Sequence, residues 1–142
     1  MFWTKKTTEK YVPARVRDAL STRFNEHELG ALSRLGTLVD VPAGQTLTSQ
    51  GTAGRQALVI VSGTASVVRN DAIVATVTEG DVVGEMSLIT GEPRTATVVA
   101  DTAMQIYALT PREFSSLLAQ CPRLAQKIPA TAVRRLGELS AA

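Results

Sequence analysis

The chain has 142 residues, 44% of them apolar, which is enough for one ordinary domain with a single core. Its longest apolar run, Ala57-Leu58-Val59-Ile60-Val61, has a strand's length and falls far short of the roughly 18 residues needed to cross a bilayer, so no membrane span is expected. The net charge of +2 hides an acidic middle: residues 24–110 carry four Lys or Arg against nine acids, leaving no stripe of cations for a nucleic-acid backbone.

The start, Met1-Phe2-Trp3-Thr4-Lys5-Lys6, has charges but no apolar stretch behind them and does not look like a secretory signal. A single cysteine, Cys121, cannot form an internal disulfide. Both features lead us to expect a cytoplasmic protein, with residues 1–12 a flexible N-terminus and residues 13–142 one domain. Behind Pro13, the apolar residues Val16, Leu20 and Phe24 recur at helical spacing and predict a helix over 14–24. A second helix follows, capped by Asn25 with Glu28 three residues on, striped by Leu29, Leu32 and Leu35, and ended by Gly36. His27 reads as a surface residue of its first turn.

From Thr37 to Leu109 the texture changes to short β-branched runs punctuated by turns such as Pro42-Ala43-Gly44, Ser62-Gly63 and Asn70-Asp71. The predicted strands are Thr37–Val41, Thr46–Thr48, Leu58–Val61, Ala65–Arg69, Ile73–Val77, Thr95–Ala100 and Ala103–Leu109. Helices return at Thr110-Pro111-Arg112-Glu113, a capping box with proline at the first helical position, ahead of Phe114, Leu117 and Leu118. A last helix runs from Pro122 toward Leu139, and Pro129 inside it predicts a kink or a split. The pattern gives a mainly β fold with flanking helices, its seven or eight strands pointing to a jelly roll or related barrel.

The interval from Gly84 to Val98 breaks the strand-and-turn rhythm. Glu85-Met86-Ser87-Leu88-Ile89 has the composition of one helical turn between glycines, and amides at the start of such a turn suit a phosphate. Arg94, predicted at the start of a strand, is the only basic residue between Asp71 and Thr110, which fits one small anion better than a polymer. Its planar fork matches two phosphate oxygens. Glu85 only accepts hydrogen bonds, so it suits a sugar hydroxyl beside that phosphate. On pattern alone, a salt bridge from Arg94 to Glu85 or Glu92 is an equal reading.

The run V-G-E-M-S-L-I-T-G-E-P-R-T-A-T-V, Val83 to Val98, closely resembles the phosphate-binding cassette of the cyclic nucleotide-binding domain family. The similarity extends over residues 20–139, through the P-A-G turn at Pro42 to Gly44 and the V-S-G turn at Val61 to Gly63, and is greatest to domains of bacterial cyclic nucleotide-gated channels and kinase regulatory subunits. The resemblance implies that Glu85 holds the ribose 2′-hydroxyl, Arg94 the cyclic phosphate, and Gly84, Met86 and Ser87 make backbone contacts. Thr95 stands where the family often has a small residue or threonine, a hydroxyl able to meet phosphate and a guanine amino group. The implied ligand is therefore cyclic AMP, with cyclic GMP left open. Val83 replaces an aromatic residue frequent in relatives. Arg134 and Arg135 are candidates to stack over the base, against a plain reading as a basic helix end.

The resemblance implies an eight-stranded jelly-roll β-barrel with an N-terminal helical pair and C-terminal lid helices, and a noncatalytic sensor that needs no cofactor and acts on an effector protein or as a homodimer. One histidine cannot supply a histidine-rich metal site, and no nucleophile and base pair stands out. With the chain ending at Ala142, no helix-turn-helix is expected to follow. The alternative is a degenerate jelly-roll interaction module that binds no nucleotide.

Overall fold

The structure is a computed structural model and describes residues 5–7 and 12–124. Strand β1 (Lys5–Thr7) lies within the stretch for which the pattern offered no element, and it pairs antiparallel with β2 (Thr37–Val41). Helix α1 (Ala14–Leu20) stops four residues before the predicted end. There the Arg23 and Phe24 amides both turn back to the Leu20 carbonyl. Phe24 is still buried, so its apolar spacing reported on the core and not on helix length.

Helix α2 (Glu26–Leu35) has the predicted capping box: the Glu28 amide donates to Asn25 Oδ1 and the Asn25 amide to Glu28 Oε1, both at 2.8 Å. The buried Glu28 carboxylate also receives the Arg123 guanidinium, with Nε 3.0 Å from Oε2 and Nη2 against Oε1. Helix α4 (Pro111–Gln120) begins on its own predicted box of Thr110 and Glu113. His27 Nε2 lies 2.8 Å from the Gln120 carbonyl, so the exposed ring ties α2 to the end of α4. Residues 122–124 are helical. The rest of the predicted last helix, with Pro129, Arg134 and Arg135, lies outside the described residues.

The remaining strands are β3 (Thr46–Thr48), β4 (Ala57–Ser62), β5 (Ala65–Arg69), β6 (Ala72–Val77), β7 (Val82–Val83), β8 (Thr97–Ala100) and β9 (Met104–Leu109). The predicted eight-stranded barrel is corrected here. The described residues form nine strands in two open antiparallel sheets, a five-stranded one ordered β1-β2-β9-β4-β7 and a four-stranded one ordered β3-β8-β5-β6. Each sheet keeps its own edges, so no barrel closes. β1 and β7 escaped the sequence reading: β7 has two residues, too few to display a period of two, and the Lys5-Lys6-Thr7 run of β1 lacks the apolar, β-branched texture that marked the equally short β3.

Three layers result. Ala57, Val59 and Val61 of β4 and Tyr107 and Leu109 of β9 face α1, α2 and α4, while Leu58, Ile60, Ile106 and Ala108 face the second sheet. The unbroken apolar run of β4 is thus explained by burial on both faces, where each fully buried Leu or Ile contributes roughly 1.5–3 kcal/mol. The exposed edge is β6, where Ile73 and Val74 stand in solvent.

Cys121 closes α4 inside the helical layer and is 1% exposed. Burial and then the Glu28 carboxylate push its thiol pKa up, with Arg34 opposing. A raised pKa leaves less thiolate at a given pH. At pH 8 the folded protein is expected to react with a thiol-exchange reagent at least about tenfold more slowly than the denatured chain; equal rates would contradict this packing.

Candidate functional site

Strand β7 pairs with the doubly buried β4 through Leu58 to Val83 and Val59 to Val82, and so fixes where the next residue starts. That residue is Gly84, at φ +83°, a backbone state that L side chains rarely adopt. It opens helix α3 (Glu85–Thr90) with no side chain to cap the first amides. The helix ends where the Gly91 amide bonds the Ser87 carbonyl at 2.9 Å. Glu85 and Ser87 are buried on α3, and Leu88 reaches the other way into the helical layer.

Arg94 does not begin a strand as predicted, since β8 starts at Thr97. Its main chain is instead clamped to the loop between β3 and β4, with the Arg94 amide 2.8 Å from the Thr52 carbonyl and the Gly51 amide 2.8 Å from the Arg94 carbonyl. The side chain is 6% exposed. Nη1 donates to the Gly84 carbonyl at 2.9 Å and Nη2 to the Gln56 carbonyl at 2.7 Å. Burial lowers the pKa of the guanidinium, and the nearby Glu85 carboxylate partly opposes that shift. An arginine stays protonated at neutral pH regardless, so a full positive charge is seated in the wall.

Gly84, Glu85, Ser87, Arg94 and Thr95 all line one open-mouthed cavity of about 140 Å³. The structure therefore gathers five of the six predicted residues; Met86 sits on α3 between two of them, and its side chain lies outside the described residues. Thr95 is exposed at the mouth. The predicted candidates Arg134 and Arg135 also fall outside the described residues.

The sequence reading missed several neighbours. Val67, Val77 and Val82 make an apolar wall, and Arg69 lines the same cavity with its Nε donating to the Thr95 carbonyl at 3.2 Å. Gln56 and Gly54 act behind the wall. A Cβ on Gly54 would run into Ser87 and the Arg94 guanidinium. The alternation of Val67 and Arg69 on one strand face was the available signal for the latter. Among the described residues no group of three or more His, Cys, Asp or Glu is placed to hold a metal ion.

Comparison with known proteins gives the same region a lineage. The model of the family described as "Cyclic nucleotide-binding domain" matches residues 38–121. The Pycsar effector protein XpPycTIR of Xanthomonas perforans is 32% identical over 139 residues, covering 92% of this chain and 46% of that protein. A cyclic nucleotide-gated potassium channel of Rhizobium etli is 38% identical over 97 residues, 68% of this chain and 27% of the channel. The chain thus spans less than half the length of these curated relatives. The catabolite activator protein of Thermus thermophilus superposes with a TM-score of 0.71 at 25% identity, covering 90% of this chain and 61% of that one. A structure described as Sp-2Cl-cAMPS bound to PKAR CBD2 superposes at 0.69 and 20% identity, covering 89% and 88%, and bears on the fold alone.

The two glycines that bracket α3 should respond differently to a methyl group. At Gly91, φ is +74° and a Cβ would meet open space, so Gly91→Ala is expected to cost about 1 kcal/mol. At Gly84 the same backbone penalty is joined by collision of the Cβ with the Arg94 guanidinium, and Gly84→Ala should cost about 2–4 kcal/mol. Urea denaturation of the two variants measures the difference; equal losses would mean that Arg94 does not occupy this seat.

Proposed function

The chain belongs to the cyclic nucleotide-binding domain family, and from that premise we propose that it is a noncatalytic sensor whose ligand is cyclic AMP, with cyclic GMP as the second candidate. The observation that carries this reading is Arg94, a residue only 6% exposed whose guanidinium is held in a cavity wall by two neutral carbonyls. Those bonds orient the fork and leave its other donors for a ligand anion. A charge-assisted contact of this kind contributes about 1.5–3 kcal/mol, and the cyclic phosphate is the group that takes it.

In this reading the backbone of Gly84, Met86 and Ser87 completes the phosphate seat, and α3 supports it by beginning without a side-chain cap. Glu85, buried on the same cavity, accepts the ribose 2′-hydroxyl, which a cyclic phosphate of ribose presents beside its anion. The Val67, Val77 and Val82 wall offers an apolar surface to the face of a base, and the Thr95 hydroxyl leaves room for guanine. Arg134 and Arg135 are proposed to close over that base from the C-terminal segment. In a jelly-roll interaction module without a ligand the same cation would serve only to join the ends of β4 and β7, and titration separates the two readings.

A ligand shifts a conformational equilibrium only by its differential affinity for the two states, so the output must come from elements that contact it unequally. The C-terminal helices are the proposed responsive part. The matched region makes up less than half of the Pycsar effector and of the channel, which supports an output exerted on another segment, a partner protein or a second copy.

Calorimetric titration of cyclic AMP and cyclic GMP tests the reading directly. Arg94→Ala is expected to weaken binding at least about tenfold, or 1.4 kcal/mol, and unchanged affinity would remove the central claim. Glu85→Ala should erase the preference for cyclic AMP over its 2′-deoxy analogue; a preference that survives would place the hydroxyl elsewhere.

A further inference from the structure

Arg69 is a second guanidinium on the same cavity, and its circumstances are opposite to those of Arg94. It is exposed where Arg94 is buried. Its Nε is fixed 3.2 Å from the Thr95 carbonyl. Among the described residues, neither terminal nitrogen has a hydrogen-bond partner and no carboxylate pairs with it. The strand end that carries it is firm. Asn70 and Asp71, at φ 51° and 65°, form the turn just beyond, and Gln50 and Asn70 exchange two hydrogen bonds, Gln50 Nε2 to Asn70 Oδ1 at 2.8 Å and the Asn70 amide to Gln50 Oε1 at 3.0 Å. A planar cation is thus held by one nitrogen and a braced hairpin, with its remaining donors directed to no protein atom described.

We infer that Arg69 is a specificity-determining residue that reads the base of the ligand and selects a ring edge bearing a carbonyl oxygen. The inference rests on the cyclic nucleotide reading above and revises the order of its two purine candidates, placing cyclic GMP ahead of cyclic AMP. With the phosphate at the buried Arg94, the part of the ligand that extends toward the exposed mouth and its apolar wall is the base. A guanidinium carries donors and no acceptor. It complements the N7 and O6 edge of guanine or the O4 of uracil, and it opposes the amino donors at N6 of adenine and N4 of cytosine. Thr95, which holds Arg69 by its carbonyl, also carries the hydroxyl already noted for guanine.

The test is a calorimetric titration of the purified chain with four ligands arranged as two matched pairs, cyclic GMP against cyclic AMP and cyclic UMP against cyclic CMP. The carbonyl-bearing member of at least one pair is expected to bind about fivefold or more tightly than its amino counterpart. In Arg69→Ala that ratio should fall to within about twofold, through weaker binding of the carbonyl-bearing member and not through an equal loss in both. Arg69→Gln, which can donate and accept, should move the purine preference toward adenine. Equal binding within both pairs by the wild-type chain would overturn this inference while leaving the sensor reading intact. A uniform loss across all four ligands in Arg69→Ala would do the same, because it would mark a general attraction for the anion. If none of the four bound, the sensor reading would be overturned, and this inference with it.

Discussion

The arrangement of the site depends on one buried charge. Taking a guanidinium out of water carries an effective penalty of several kcal/mol unless its donors are satisfied in place. Arg94 meets that requirement with carbonyls from two segments: Gly84, which follows β7, and Gln56, which precedes β4. Those two strands are neighbours in the five-stranded sheet, so the charge is seated across adjacent strand ends. The geometry then constrains what surrounds it. Gly84 and Gly54 must lack side chains because the guanidinium and Ser87 occupy the space a Cβ would need. The loop holding Gly51 and Thr52 must come close enough to exchange main-chain hydrogen bonds with Arg94. A short helix, a strand end and a distant loop thereby share one constraint.

How much of this the amino-acid sequence disclosed depended on the distance over which each interaction acts. The capping boxes of α2 and α4 were readable because both partners lie within three residues. Helix α1 was overextended because Phe24 keeps the helical spacing of Val16 and Leu20 while entering the core from a turn. The layering was also latent in β4: a run that is apolar at every position needs two apolar faces, and the helical layer and the second sheet supply them. A closed barrel was not required by that pattern. Closure depends on which strand ends find partners, and β1 and β7 carry too little apolar alternation to mark those pairings in the sequence.

The candidate site divides the same way. Gly84, Glu85, Ser87, Arg94 and Thr95 fall within one short interval, so their chemistry could be weighed together before any fold was assumed. Gln56 and Arg69 were invisible in that interval because they reach it from 38 and 26 residues away. The count that made Arg94 look solitary began at Asp71, two residues beyond Arg69. Strand pairing defeats such a count. β5 lies antiparallel to β8, with Val67 opposite Val98 and Val68 opposite Thr97, and the same register carries Arg69 to the residues just after Arg94. Charge isolation along a chain is therefore a weak guide in a sheet protein, where the nearest cation in space is commonly on the adjacent strand.

Helix α3 also connects layers that the sheets otherwise separate. Glu85 and Ser87 line the cavity, while Leu88, one residue further on, packs into the cluster that holds Phe114, Leu117 and Leu124. A six-residue helix is too short to bend between those positions, so a shift of either residue would carry the other with it. Close packing makes the helical layer respond to such a movement in discrete rearrangements and not by gradual deformation. The layer is further keyed to α2 through Glu28 and Arg123, which fix the first turn after α4. Any ligand that repositions α3 must therefore disturb the seat of Leu88, and any rearrangement of that seat must alter ligand affinity by the same free energy. The cavity and the helical layer thus touch opposite faces of one short helix bracketed by two glycines.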